Sequence, residues 1–267
     1  MTGAQSAHDA ATLSVRNLEV RFGGLQAVGD LSFDVHPGEI LSLIGPNGAG
    51  KTTAFNAITG YLVPTAGAVT YGGASLHALK PYQIADLGVV RTFQKTSVFG
   101  GLSVLDNVLT ALHRRAKQSI LATLLGLPSV AAEELALREK AREITAFLGL
   151  GGRIGDLGSA LPYGDQRLLE VAIALAAEPK LLLLDEPVSG MNPAETANFV
   201  RILGRIRDLG ITVLLVEHDM RMVMGVSDRI VVLNQGQLIA EGPPAKIQRN
   251  PEVIRAYLGS GYKGADG

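Results

Sequence analysis

Residues 40–55 read ILSLIGPNGAGKTTAF. Ile40–Ile44 is a continuous apolar run, the signature of a strand buried on both faces. It is followed at once by G-x-x-x-x-G-K-T, Gly45–Thr52, and then by the helical pattern AFNAITG. A strand feeding a glycine-curled loop that opens onto a helix is the first unit of a parallel α/β sheet. The glycines let successive N–H groups turn inward, so Gly45, Pro46, Asn47, Gly48, Ala49 and Gly50 form a cradle for a triphosphate at the positive end of the helix. Lys51 reaches the β/γ oxygens as a point charge, the Thr52 hydroxyl ligates Mg²⁺, and Thr53 adds a contact to the α-phosphate. A glycine turn that fits by chance is the competing reading, and the flanking strand and helix weigh against it.

A second apolar strand, KLLLLDEP, ends in adjacent acids. In a parallel sheet ligands bind beyond the carboxyl ends of the strands. Asp185 is therefore expected to hold Mg²⁺, directly or through water, and Glu186 to polarise an attacking water. A solvated strand end or a helix cap is the alternative. A third buried strand, TVLLVEH, follows after a helical stretch, Ala194–Asp208. LSVRNLEVRF and LSFDV alternate as antiparallel strands, and RIVVLNQGQLIAEG reads as a hairpin around Asn234–Gly236. SVLDNVLTALHRR and AAEELALREKAREITAFLGL carry helical spacing. In LPYGDQRLLEVAIAL, Leu168, Val171, Ala172 and Leu175 form an apolar stripe.

With 267 residues, 47% of them hydrophobic, the chain can build one large domain or one domain with a lobe. A net charge of -1 argues against a chain whose main task is coating nucleic acid. The absence of cysteine excludes disulfides and thiolate metal sites. MTGAQSAHDAAT lacks a basic start before an apolar run, so no secretory signal is expected. The longest uncharged stretch, Gln118–Ala132, falls short of the about 20 apolar residues a membrane helix needs. It reads as a buried or partner-facing helix and a turn.

Taken in order, GPNGAGKTT, RTFQ, LPYGDQRLLEVAIAL, LLLLDEP, SGMNP and VEHD resemble the ATP-binding subunit of ABC transporters over essentially the whole chain. RFGGLQAVGDLSFDV, GVVRTFQ, GLSVLDNVL and EGPPAKIQRNPEVIRAYLG resemble the branched-chain amino acid importer type in particular. The resemblance implies an α/β P-loop ATPase fold with a RecA-like parallel core, an N-terminal antiparallel β subdomain and an inserted helical lobe. Residues 1–267 would form one such domain, with a core over about 12–95 and 166–267 and a lobe over about 96–165. It implies ATP hydrolysis with Mg²⁺, in which Glu186 is the base and Lys51 holds the phosphates. His218 and Gln94 would orient the γ-phosphate, and Gln94 would join Thr52 and Asp185 at the metal. Phe22 would stack on adenine; its pattern alone fits a core strand aromatic equally. Ser189–Pro193 would form a turn facing a second ATPase subunit.

The implied partners are that second subunit, usually a different chain, two membrane permease subunits and an external solute-binding protein, with no nucleic acid. The implied location is the cytoplasmic face of the inner membrane, held peripherally. The residues Leu161, Pro162, Tyr163, Gly164, Asp165 and Gln166 stand where the family's L-S-G-G-Q signature loop meets ATP bound by the partner. Gly164 is kept, but Pro162 removes a hydroxyl and a backbone donor, and Tyr163 replaces a glycine. Asp165 suits a helix N-terminus and is expected to turn toward Arg167 or solvent. An asymmetric pair follows, with the site completed by this loop the weaker one. Urea, amide or aromatic-acid import by the same ATPase type stays open. So do a non-transport ATPase acting on nucleic acid or ribosomes and a non-catalytic regulator, although the intact Lys51, Asp185, Glu186 and His218 speak against the last.

Overall fold

A computed structural model of the chain describes residues 12–92, 98–114 and 128–258. The chain divides into two compact units.

Of the described residues, the first unit holds 12–91, 180–186 and 200–258. In its antiparallel sheet, β1 (Leu13–Phe22) lies between β2 (Leu25–Val35) and β4 (Ala66–Tyr71), with β5 (Ala74–Ser75) at the edge. Period-two alternation buries Leu13 and Val15 of β1, and the register with β2 then shifts three times, between Val15 and Leu18, Leu18 and Val20, and Val20 and Arg21. Phe22, the last residue of β1, opposes Leu25 at the closed end of the hairpin and is 52% exposed. The second sheet has the order β10-β9-β3-β8-β7-β6. It comprises β3 (Ile40–Ile44), β6 (Val89–Arg91), β7 (Leu181–Asp185), β8 (Thr212–Val216), β9 (Arg229–Asn234) and β10 (Gln237–Gly242). Its central strands are parallel, and β10 pairs with β9 as the expected hairpin.

Every residue of β3, β7 and β8 is buried, as continuous apolar strands require. α1 (Lys51–Ile58) packs Phe55 and Ile58 into one cluster with Leu41, Leu43, Leu183 and Leu214. α7 (Met220–Val226), α8 (Pro244–Gln248) and α9 (Pro251–Leu258) cover a smaller cluster around Ile44, Ile230 and Val232. Each such aliphatic side chain contributes about 1.5–3 kcal/mol by leaving water. α2 (Pro81–Asp86) opens on a proline, whose fixed φ suits the first helical turn.

Of the described residues, the second unit holds 92, 98–114, 128–179 and 187–199. α3 (Val104–His113) is capped by Ser103, whose hydroxyl accepts from the Asp106 N–H. Buried Asn107 ties the preceding loop to α3: it accepts from Phe99 N–H at 2.8 Å and donates to the carbonyls of Phe99 and Ser103. Of the uncharged stretch Gln118–Ala132, residues 118–127 lie outside the described part; Pro128 opens α4 (Pro128–Phe147). α5 (Tyr163–Ala176) is buried nearly all round, well beyond a single stripe: Leu169 and the pair Arg167–Glu170, 3.0 Å apart, are buried too. α6 (Pro193–Asp208) begins in this unit. No helix among the described residues is long and apolar enough to cross a membrane.

Candidate nucleotide site

The parallel register brings three strand ends together. Leu43 and Asp185 both pair with Val216, so the segments that follow β3, β7 and β8 leave the sheet side by side. The first is the glycine loop. Gly50 has φ +99 and no room for a side chain: a Cβ would stand 2.5 Å from the Ala27 carbonyl. It is the N-cap of α1 and offers no side-chain cap, and no acid occupies the first turn. The helix therefore presents unsatisfied N–H groups and positive potential, as a phosphate requires. Lys51 is only 8% exposed. Its Nζ donates to the carbonyls of Gly45 at 2.7 Å and Pro46 at 3.0 Å. Burial holds its pKa below the usual lysine range, partly offset by the nearby Glu186 and Asp185 carboxylates. A cavity of about 420 Å³ opens over the loop, lined by Leu25–Ala27, Asn47–Thr53, Glu186 and Gln235.

Beyond β7, Glu186 has φ +48, an uncommon conformation for a residue with a side chain. Its N–H donates to the Val216 carbonyl at 2.8 Å, which pins the turn. Its carboxylate lies 3.9 Å from His218 Nδ1. His218 follows β8 and is largely exposed, whereas neighbouring Glu217 is fully buried. Glu217 accepts from the His218 N–H at 2.9 Å, fixing the backbone that carries the imidazole. Asp185 is buried, and one of its oxygens, Oδ2, accepts from Arg91 Nη2 at 2.7 Å. Its other oxygen, Oδ1, has no hydrogen-bond partner among the described residues. The orphaned buried oxygen of Asp185 and the hydroxyl of exposed Thr52, which follows Lys51 in the loop, have the oxygen chemistry that fits Mg²⁺. Arg91 and Glu217 were not legible as site residues. RTFQ and VEHD contain both, but their roles depend on burial.

Phe22 is not among the residues that line the cavity; Leu25–Ala27, just beyond it in the chain, are. Gln94 lies outside the described residues. Within the second unit, the turn before α6 is closed by Met191 N–H donating to the Val188 carbonyl. Asn192 caps α6 by accepting from Ala194 and Glu195 N–H groups, and Glu195 accepts from the Asn192 N–H in return. The variant loop Leu161–Gln166 leads into α5. Leu161 is buried, Pro162 is the N-cap and Tyr163 the first helical residue. Gln166 Nε2 donates to the Leu161 carbonyl at 2.9 Å. Gly164 is buried, and a Cβ there would meet the Glu195 carboxyl carbon at 2.8 Å. Asp165 pairs with Arg153 at 3.0 Å, not with Arg167. Positions two apart on a helix do not face each other, and Arg167 turns instead to Glu170 and the Tyr163 hydroxyl. Tyr163 in turn donates to the Ser189 carbonyl at 2.9 Å, and its ring approaches Gly190 so closely that a Cβ there would lie 3.0 Å away.

Residues 28–189 match the family model described as ABC transporter. This chain belongs to the ABC transporter ATPases. Residues 237–263 match a second model, described as branched-chain amino acid ATP-binding cassette transporter. The ATPase is 45% identical to the high-affinity branched-chain amino acid transport ATP-binding protein LivG of Escherichia coli K12, over 92% of this chain and 97% of LivG. It is 42% identical to BraF of Pseudomonas aeruginosa, described in the same words, over 92% and 97%. The ADP conformation of MJ1267, an ATP-binding cassette of an ABC transporter, superimposes with a TM-score of 0.82 at 31% identity, covering 94% of this ATPase and 99% of that chain. The expected ABC ATPase fold and nucleotide binding are thereby established for this protein.

Proposed function

We propose that this ATPase hydrolyses MgATP to power a branched-chain amino acid importer. The observation that carries the reading is the convergence of Lys51, Asp185, Glu186 and His218 at the ends of three adjacent parallel strands. The names of LivG and BraF and the match over residues 237–263 supply the solute class.

The Gly45–Thr53 loop and Lys51 hold the phosphates in the order needed for in-line attack. Glu186 accepts a proton from water as that water's oxygen bonds to the γ-phosphorus and the bridging oxygen leaves with ADP. His218, 3.9 Å from that carboxylate, orients the γ-phosphate end, with Gln94. Mg²⁺, held by Thr52, Asp185 and Gln94, would neutralise phosphate charge. Phe22, exposed beside the start of β2, supplies a ring face for adenine.

Two ATPase subunits sandwich the nucleotides in this reading. The loop Leu161–Gln166 and the turn Ser189–Pro193 serve the partner's side. Residues of about 12–95 and 166–267 act as the catalytic core and about 96–165 as the lobe that meets two permease subunits on the cytoplasmic face of the inner membrane. Exposed Phe99, Leu102 and Leu157 support such a contact: Leu102 and Gly158 are hydrogen-bonded, which brings these apolar side chains to one region. An external binding protein delivers the solute. The test is reconstitution with the permeases, partner ATPase and binding protein: ATP-dependent leucine uptake is expected. Uptake of urea or an aromatic acid in its place would overturn the solute class, and no ATP-dependent uptake at all would overturn the importer reading.

A further inference from the structure

Arg91 ends β6 and opens the stretch RTFQ, in which the resemblance gives a role to Gln94 but none to Arg91. Yet its guanidinium is almost fully buried and divides its donors between two parts of the site. Nη2 donates to Asp185 Oδ2 at 2.7 Å. Nη1 donates to Asn56 Oδ1 at 2.7 Å and Thr59 Oγ1 at 3.1 Å. Asn56 lies in α1, the helix that opens on the phosphate loop, and Thr59 is its C-cap. The plane of the guanidinium is steadied by the rings of Phe55 and Tyr61, whose centroids lie 5.5 Å and 5.9 Å from it.

A buried ion pair is weak evidence for stability, because desolvation offsets its attraction. Geometry accounts better for this one. The planar fork is rigid and engages several acceptors at fixed angles, which an ammonium cannot reproduce. It occupies one oxygen of Asp185 and leaves Oδ1 without a hydrogen-bond partner among the described residues. It also fixes that oxygen relative to the helix on which Lys51 and Thr52 stand.

We propose that Arg91 is a positioning residue: it sets Asp185 as a single-oxygen acceptor for the nucleotide-bound metal and couples that acceptor to the phosphate-loop helix. This rests on Asp185 being the metal carboxylate, and the test separates the two.

Titration of the full-length chain with a fluorescent ATP analogue, in Mg²⁺ and in EDTA, measures the gain in affinity that the metal confers. Asp185→Asn should lose that gain. Arg91→Met should keep the wild-type affinity in EDTA and lose about tenfold or more of the Mg²⁺ gain, the factor carried by one charge-assisted hydrogen bond. The double variant should lose no more than Asp185→Asn alone. Arg91→Lys should lose part of the gain, and it decides the matter if Arg91→Met does not fold. Full Mg²⁺ gain in Asp185→Asn would overturn the metal assignment itself. Loss in Asp185→Asn with full gain in Arg91→Met, or in Arg91→Lys where that variant decides, would overturn the role of Arg91 alone. A fall in EDTA affinity matching the fall in Mg²⁺ would reduce Arg91 to a structural prop and overturn it equally.

Discussion

Replacing Tyr163 by Phe removes one oxygen and nothing else, and that oxygen sits at a junction. It accepts from Arg167 Nε at 3.0 Å and Nη2 at 2.8 Å, and donates to the Ser189 carbonyl at 2.9 Å. The bond to Ser189 is neutral and contributes about 1 kcal/mol. The Arg167 bonds are charge-assisted, about 1.5–3 kcal/mol in a dry site. Here Arg167 keeps Glu170 at 3.0 Å, and Tyr163 is 42% exposed, so water replaces much of what is lost. The net cost of Tyr163→Phe should be about 1–2 kcal/mol. Tyr163→Ala should add about 1 kcal/mol by removing the ring that lies under Arg167 and against Gly190. Urea unfolding of the purified chain measures both. Because the hydroxyl joins the start of α5 to the turn before α6, Tyr163→Phe should also speed hydrogen exchange at residues 189–192. An unfolding free energy within about 0.5 kcal/mol of wild type, the range of ordinary surface changes, together with unchanged exchange there, would refute the reasoning.

Glu186→Gln should keep ATP binding and nearly abolish turnover in the assembled transporter, measured by phosphate release; wild-type turnover would remove Glu186 as the base. Lys51→Ala should weaken nucleotide binding in a titration, because it removes the buried cation beside the loop carbonyls. Pro162→Ser should raise turnover at the partner's site of the assembled complex, since it returns a hydroxyl and a backbone donor to the N-cap of α5; no change would sink the asymmetric pair. Gly50→Ala should destabilise the fold by at least about 1–3 kcal/mol, the cost of a strained backbone before any clash with Ala27 is counted, read as a lowered thermal midpoint.

What was legible in the sequence was local. The strand, glycine loop and helix of residues 40–58 are contiguous, and β7 and β8 carry no polar face to disguise them. What was not legible depended on distant partners or on breaks in periodicity. Arg91 meets Asp185 across 94 positions of sequence, which no spacing rule reaches. A period of two counted from Val20 puts Phe22 in the core, but β1 ends there against Leu25 at the closed end of a hairpin and Phe22 is exposed. Asp165 finds Arg153 in a preceding 3-10 turn. The apolar stripe of α5 understated its burial, because charge pairing between Arg167 and Glu170 lets polar residues go inside.

The left-handed backbone at Glu186 sets selection for durability against selection for work. A side chain at φ +48 costs about 1–3 kcal/mol that glycine would recover in part. A library of this ATPase screened only for heat resistance should therefore enrich glycine at position 186 and yield proteins that hold ATP without splitting it. Any stabilised variant raised in that way needs this codon held constant.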